Sequence, residues 1–232
     1  SKAGAYSRRD AEKLIFEGKV EVNNRTIDSP ATFANQKDKI LVDGKIIKPN
    51  EITRIWILNK PKGYITTSKD PQNRKEVFDL LPSNIDHLIP IGRLDLNTEG
   101  LLLFTNNGDF SRYMEHPKNK IIRKYKIKVR GKVKKEKIDE ISGEMIINNI
   151  KYNIINAELM TYSQSNSWLK IEIAEGKNRE VRKIFEHLDI QINRLIRIKF
   201  GPFELGQIKK GEFIELNKRE VPLKLKKIGF KG

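Results

Sequence analysis

From Arg123 to Arg130 the chain reads Arg-Lys-Tyr-Lys-Ile-Lys-Val-Arg, with Tyr125, Ile127 and Val129 separated by single basic residues. A strict period of two marks a strand that buries one face and wets the other. Lys19-Val20-Glu21-Val22 alternates in the same way and turns at Asn23-Asn24. Asp43-Gly44 between Ile40-Leu41-Val42 and Lys45-Ile46-Ile47 is a strong hairpin signal. Further strands are expected at 151–159 and 168–174, and at the apolar runs Ile55-Trp56-Ile57-Leu58 and Leu101-Leu102-Leu103-Phe104-Thr105. Helices are few. Ser7-Arg8-Arg9-Asp10 has capping-box spacing and predicts a helix that stops at Gly18. Asp109 is expected to cap a short helix ended by Pro117. A third helix is expected from Asn178 to Leu188, with Val181, Ile184, Phe185 and Leu188 as its inward stripe. No regular strand–helix alternation is present, so the predicted class is α+β with a largely antiparallel sheet. Residues 1–49 read as a small helix-plus-hairpins module, Lys48-Pro49-Asn50 as a linker and 54–232 as the larger domain with a basic tail.

The 232 residues carry 46 Lys+Arg against 30 Asp+Glu, a formal charge of +16. That excess points to a polyanionic partner, and it is unevenly placed. Residues 118–137 hold eleven basic residues against Glu136, and 218–232 hold six against Glu220, whereas 1–50 is nearly balanced. Lysines and arginines that neutralise phosphates release condensed counterions, so such patches give affinity for nucleic acid without sequence preference. A solvated, solubilising surface is the bland alternative. No cysteine is present, which removes disulfides, thiolate metal sites and cysteine nucleophiles. No apolar run approaches the ~20 residues needed to span a bilayer, and the expected setting is cytoplasmic.

Several chemistries lack their residues. His87, His116 and His187 are scattered, and there is no Walker loop, no dinucleotide glycine fingerprint and no Gly-x-Ser-x-Gly elbow. Arg93-Leu94-Asp95, between Gly92 and Gly100 and ahead of an apolar strand, is the most suggestive loop. A cationic neighbour keeps such an acid ionised, as a nucleophile or base requires. On these residues alone a surface salt bridge is the commoner outcome, and Asp95 with Glu99 is a weak candidate for a metal-binding carboxylate pair.

Gly92-Arg93-Leu94-Asp95-Leu96-Asn97-Thr98-Glu99-Gly100-Leu101-Leu102-Leu103 resembles the signature of RsuA/RluB-type ribosomal RNA pseudouridine synthases. Asn59-Lys60-Pro61-Lys62-Gly63, Arg123-Lys124-Tyr125 and Glu175-Gly176-Lys177-Asn178-Arg179-Glu180-Val181-Arg182-Lys183 fit the same family in order and spacing, as do Gly201-Pro202-Phe203-Glu204-Leu205-Gly206 and Gly211-Glu212-Phe213. Ser7-Arg8-Arg9-Asp10-Ala11-Glu12 with Gly18-Lys19-Val20-Glu21-Val22-Asn23 resembles the alpha-L RNA-binding domain, the fold of ribosomal protein S-four. That domain usually opens on an Arg-Leu-containing helix, whereas this chain begins Ser1-Lys2-Ala3-Gly4-Ala5, so its first helix is expected to be truncated.

The resemblance implies isomerisation of a uridine in ribosomal RNA, with no cofactor and no metal. It implies Asp95 as the catalytic carboxylate, Arg182 as the cation that orients it, and Tyr125 as the residue that stacks on the target base. Covalent addition and a glycal route stay open for Asp95, and core packing beside Ile127 stays open for Tyr125. The target uridine is expected to be flipped out of folded RNA, with Arg93 filling the vacated stack. Expected RNA contacts are Lys60, Lys62, Arg8, Arg9, Lys19, Lys124, Arg179 and Lys183. A monomer is expected. The motifs lean towards the large-subunit branch, and the competing reading is a non-enzymatic ribosomal RNA-binding protein on the same fold.

Overall fold

The computed structural model describes residues 6–35, 37–47, 52–67, 70–85 and 88–231. The linker expected at 48–50, the opening 1–5 and His87 lie outside the described residues. The described strands form two separate sheets.

The first sheet follows helix α1 (Arg8–Phe16). The Ser7 side chain accepts from the Asp10 amide at 3.2 Å, which supplies one of the amide partners that a helix start lacks. Gly18, at φ +68°, ends the element as its sequence predicts. Strands β1 (Val20–Val22), β2 (Arg25–Thr26), β3 (Ile40–Val42) and β4 (Lys45–Ile46) pair in the order β2-β1-β3-β4. Both hairpin turns, Asn23-Asn24 and Asp43-Gly44, put two consecutive residues at positive φ, the geometry whose twist matches that of the strands they join.

The second sheet begins with β5 (Ile55–Lys60), β6 (Ile89–Ile91) and β7 (Thr98–Thr105), followed by helix α2 (Gly108–Glu115). Asn107, not Asp109, caps α2: its side chain accepts from the Asp109 and Phe110 amides, which leaves Asp109 inside the first turn. Then come β8 (Arg123–Arg130), α3 (Lys135–Ile141), β9 (Gly143–Ile147), β10 (Ile150–Tyr162), β11 (Asn166–Ile173), α4 (Glu180–His187), β12 (Ile192–Phe200), β13 (Phe203–Glu204), β14 (Phe213–Glu215) and α5 (Glu220–Lys227). The path is β14-β5-β7-β12-β8-β11-β10-β9, with β6 on β7 and β13 on β12. Every pair is antiparallel except β7–β12, so the α+β, largely antiparallel reading stands.

All eight residues of β7 are buried because both faces are covered. Leu101 and Leu103 pack with Phe110 and Met114 of α2 on one side, while Leu102 and Phe104 pack with Trp56 and Leu58 on the other. That accounts for a continuous apolar run where a half-exposed strand would alternate. The loop expected to reach Gly100 is therefore shorter, since Thr98, Glu99 and Gly100 already pair with β12. Gly100 sits at φ +97°, and a Cβ there would lie 2.3 Å from the Arg197 carbonyl oxygen. In β8, Tyr125, Ile127 and Val129 face a core closed by Val181, Ile184 and Phe185 of α4, as the two periodicities predict. No described helix is long and apolar enough to cross a membrane.

Candidate active site

Residues 92–97 lie between β6 and the start of β7, and their anchoring follows from their sequence. Leu94 is buried in the cluster around Trp56 and Phe104. Its amide donates to Thr66 Oγ1 (3.2 Å), whose hydroxyl donates back to the Leu94 carbonyl (3.0 Å). The Gly63 amide donates to the Leu96 carbonyl at 2.8 Å, and the Thr98 amide closes on the Asp95 carbonyl at 3.0 Å. With Leu94 pinned inward, its neighbours Arg93 and Asp95 both line a cleft of ≈ 610 Å³, and the Asp95 side chain keeps 37% of its surface exposed.

Lys60 holds this loop from beneath. It is fully buried, and its ammonium donates to the carbonyls of Pro61 (3.1 Å), Asp95 (3.1 Å) and Thr98 (2.9 Å). Burial lowers its pKa to about 8, opposed by the negative charges of Asp95 and Glu99. The expectation that Lys60 tracks phosphates is thus corrected. Its strand runs through the sheet interior, and the nearest acceptors are backbone carbonyls. Lys62, two residues on, is exposed.

The expected pairing of Arg182 with Asp95 takes another form. The ion pair to Asp95 comes from Arg179, whose Nη1 lies 3.7 Å from Oδ2. Arg179 sits at φ 51° immediately before α4, and this left-handed residue brings its side chain back towards the loop. Arg182, one turn into α4, donates from Nη2 to the Asn97 carbonyl (2.9 Å) and Thr98 Oγ1 (3.4 Å). Burial and the Arg179 charge hold Arg182 below the usual arginine range, while Asp95 supports its charge. Arg182 therefore braces the loop, and Arg179, counted in sequence among RNA contacts, faces the carboxylate. Glu99 does not form a carboxylate pair with Asp95. Its oxygens accept from Arg194 (3.0 Å twice) and pair with Lys210 (3.1 Å), outside the residues that line the cleft.

Tyr125 is both core and cleft wall: it is 7% exposed, packs with Ile127, and lines the cleft beside Asp95. Sequence reasoning missed what stands behind it. Arg123 and Arg197 are buried, and their guanidinium carbons lie 4.5 and 4.9 Å from the centre of the Phe200 ring. Arg123 donates to the carbonyls of Ile121 and Ala174 at 3.1 Å, and Arg197 donates from Nε to the Leu101 carbonyl at 2.8 Å. Desolvation pushes both below the usual arginine range, and Tyr125 is the chief group favouring their charge. The available signal was Arg197 set between Ile196 and Ile198 in a strand. Glu180, also buried at the cleft, accepts the Lys177 amide at 3.0 Å, and burial raises its pKa.

The remaining expected contacts separate. Arg93 is exposed on the cleft wall. Lys124 points to the opposite sheet face, where it pairs with Glu172 at 2.6 Å, because strand alternation places it across from Tyr125. Lys183 is half-buried on α4, outside the lining of the cleft. Arg8, Arg9 and Lys19 are exposed in the N-terminal module, where Arg8 pairs with Glu12 (3.1 Å) and Lys19 with Glu17 (2.8 Å).

The family model for RNA pseudouridylate synthase matches residues 54–187, which contain Asp95, Tyr125 and Arg182. The chain belongs to the RNA pseudouridine synthases. It is an isomerase that converts uridine to pseudouridine, and an S4 domain model matches residues 1–40. An RNA pseudouridine synthase of Rickettsia felis is 45% identical over 219 residues, covering 94% of this chain and 95% of the relative. The ribosomal large subunit pseudouridine synthase B of Buchnera aphidicola is 38% identical over 229 residues, covering 95% and 92%. A pseudouridylate synthase crystal structure aligns with TM-score 0.66 over 95% of this chain and 94% of that one, at 24% identity, a likeness of fold.

Proposed function

We propose that this synthase acts on ribosomal RNA of the large subunit, with Asp95 as the reacting carboxylate. The carrying observation is a half-exposed aspartate on a loop fixed by its backbone hydrogen bonds and the buried Leu94 side chain, in the same cleft as Tyr125. The name of the Buchnera relative supports the large-subunit substrate. The division into an RNA-binding module (1–49) and a catalytic domain (54–232) is supported by the two separate sheets and the two matched families. A monomer in the cytoplasm, where ribosomes are made, fits this reading.

The reaction breaks the bond from N1 of uracil to the ribose, turns the base, joins C5 to the same ribose carbon, releases the C5 proton and takes up a proton at N1. Atoms and electrons balance without a redox partner. The uridine enters flipped out of its stack, and Arg93 on the cleft wall fills the space it leaves. Tyr125 presents its ring to the base, with Arg123 and Arg197 behind it fixing the phenol in place. Arg179 supports the ionised Asp95 before substrate enters. The test is Asp95→Asn, which keeps size and hydrogen bonding but removes the charge. Release of tritium from C5 of labelled uridine is expected to fall by several orders of magnitude in a folded protein with undiminished RNA affinity. Undiminished release would end the assignment.

A further inference from the structure

The cleft that holds Asp95 has a neighbour. A second cleft of ≈ 780 Å³ is lined by Arg130, Lys132, Lys134 and Lys137, by Glu186 in the last turn of α4 and Asp189 just after it, and by the same Arg179 and Arg182 that wall the first. Six cations thus face two acids, and the arginine that meets Asp95 divides the clefts. We propose that this second cleft binds the sugar-phosphate backbone of the single-stranded RNA that flanks the flipped uridine, an inference that rests on the pseudouridine synthase reading.

The pairing of the charges carries the argument. The basic run 118–137 looks like one patch along the chain, but the fold divides it. On the opposite sheet face three lysines are answered by acids of this protein, Lys124 by Glu172 (2.6 Å), Lys170 by Glu158 (3.3 Å) and Lys199 by Glu204 (2.6 Å), while Lys126 lies 4.7 Å from the centre of the Trp168 ring. In the second cleft Lys137 pairs with Glu140 at 2.7 Å, and Arg179, on the shared wall, with Asp95 at 3.7 Å. Arg130 donates to the neutral amide oxygen of Gln191 at 3.4 Å, and Lys132 lies 4.6 Å from the centre of the Tyr162 ring. Arg130, Lys132 and Lys134 have no carboxylate partner among the described residues. Cations left uncompensated in a concave surface attract an external polyanion, and phosphate contacts give position and affinity without reading sequence. Tyr162, 59% exposed beside Lys132, offers a base a ring to stack on. Where the RNA beside the target is single-stranded, the shared Arg179–Arg182 wall leads its backbone from one cleft to the other.

The test uses fluorescein-labelled twelve-nucleotide oligouridylate and two variants that remove equal charge. Lys132→Ala/Lys134→Ala alters the cleft; Lys126→Ala/Lys128→Ala alters the opposite face. The cleft variant is expected to weaken binding about tenfold at moderate salt and to flatten the log–log salt slope by about 1.4, at ~0.7 per phosphate on single strands. The opposite-face variant is expected to move both by much less. Equal effects from the two variants would show a general charge effect and overturn the proposal, as would an unchanged slope in the cleft variant. Thermal melts confirm that both variants are folded. Tritium release by the unmutated protein on ribosomal RNA is measured separately, so failure of the enzyme reading appears there and failure of the groove appears in the salt slope.

Discussion

Lys60→Met tests whether a buried ammonium holds the loop that carries Asp95. Methionine nearly matches the lysine stem in volume but takes one donor from each of three carbonyls. The Asp95 carbonyl keeps the Thr98 amide, so the loss falls mainly on the carbonyls of Pro61 and Thr98. A buried acceptor that loses its donor costs about 1–3 kcal/mol. Relief from burying a charge offsets part of this, so a net loss of about 1–3 kcal/mol is expected at pH 7. The pH dependence is more specific. Folding lowers the Lys60 pKa from 10.5 to about 8, so between those values the unfolded chain binds a proton that the folded one lacks. Stability from this group therefore rises with pH across that window, by about 1.4 kcal/mol per unit. Denaturant titrations at pH 7, 8, 9 and 10, taken as wild type minus variant, isolate it: the difference should grow from pH 8 upward. Turnover of the variant should fall about a hundredfold, since a misplacement of about 1 Å costs that much. A flat difference curve together with full turnover would refute the clamp.

Gly100→Ala would place a methyl 2.3 Å from the Arg197 carbonyl oxygen at a positive φ, so a loss of about 3 kcal/mol or more and a melting temperature lower by roughly 6–12 °C are expected. Arg179→Ala removes a half-exposed ion pair and is expected to slow turnover no more than about fivefold. Arg182→Met frees the Asn97 carbonyl and should cost about a hundredfold; single-turnover rates check both, and the reverse order would make Arg179 the main determinant. The proposed chemistry uses protein groups alone, so tritium release from an unstructured RNA is expected to survive EDTA, and loss restored by one divalent ion would contradict it.

Most of the fold was legible because it is written in local periods. Alternation in 123–130 and the two consecutive positive-φ turns each concern neighbours in sequence. Asp95 was legible from its motif, and Leu94 explains its orientation once the core is known. Lys60 was not legible. Asn59-Lys60-Pro61-Lys62 reads as an exposed basic turn, and its burial depends on carbonyls 35 and 38 residues away. The basic run misled for a related reason. Counting charge along a strand ignores that successive side chains leave on opposite faces, so Lys124 and Tyr125 meet different partners. Arg179 and Arg182 exchanged places because the helix begins after a left-handed residue, which helical spacing does not announce.

The loop also shows how a protein can fix an acid without disabling it. Lys60 and Arg182, the two strong cationic contacts beneath and beside Asp95, both end on backbone carbonyls: those of Asp95, Thr98 and Asn97. Had either bound the carboxylate directly at close range, the charge would be spent on a buried pair that costs about 3–5 kcal/mol to break. Among the described residues the carboxylate's ion pair is instead with Arg179, half-exposed and 3.7 Å away, an interaction worth at most about 1 kcal/mol. Position and charge thus rest on different atoms of the loop: the main chain is held by Lys60 and Arg182, and the Asp95 side chain keeps one weak, half-exposed ion pair.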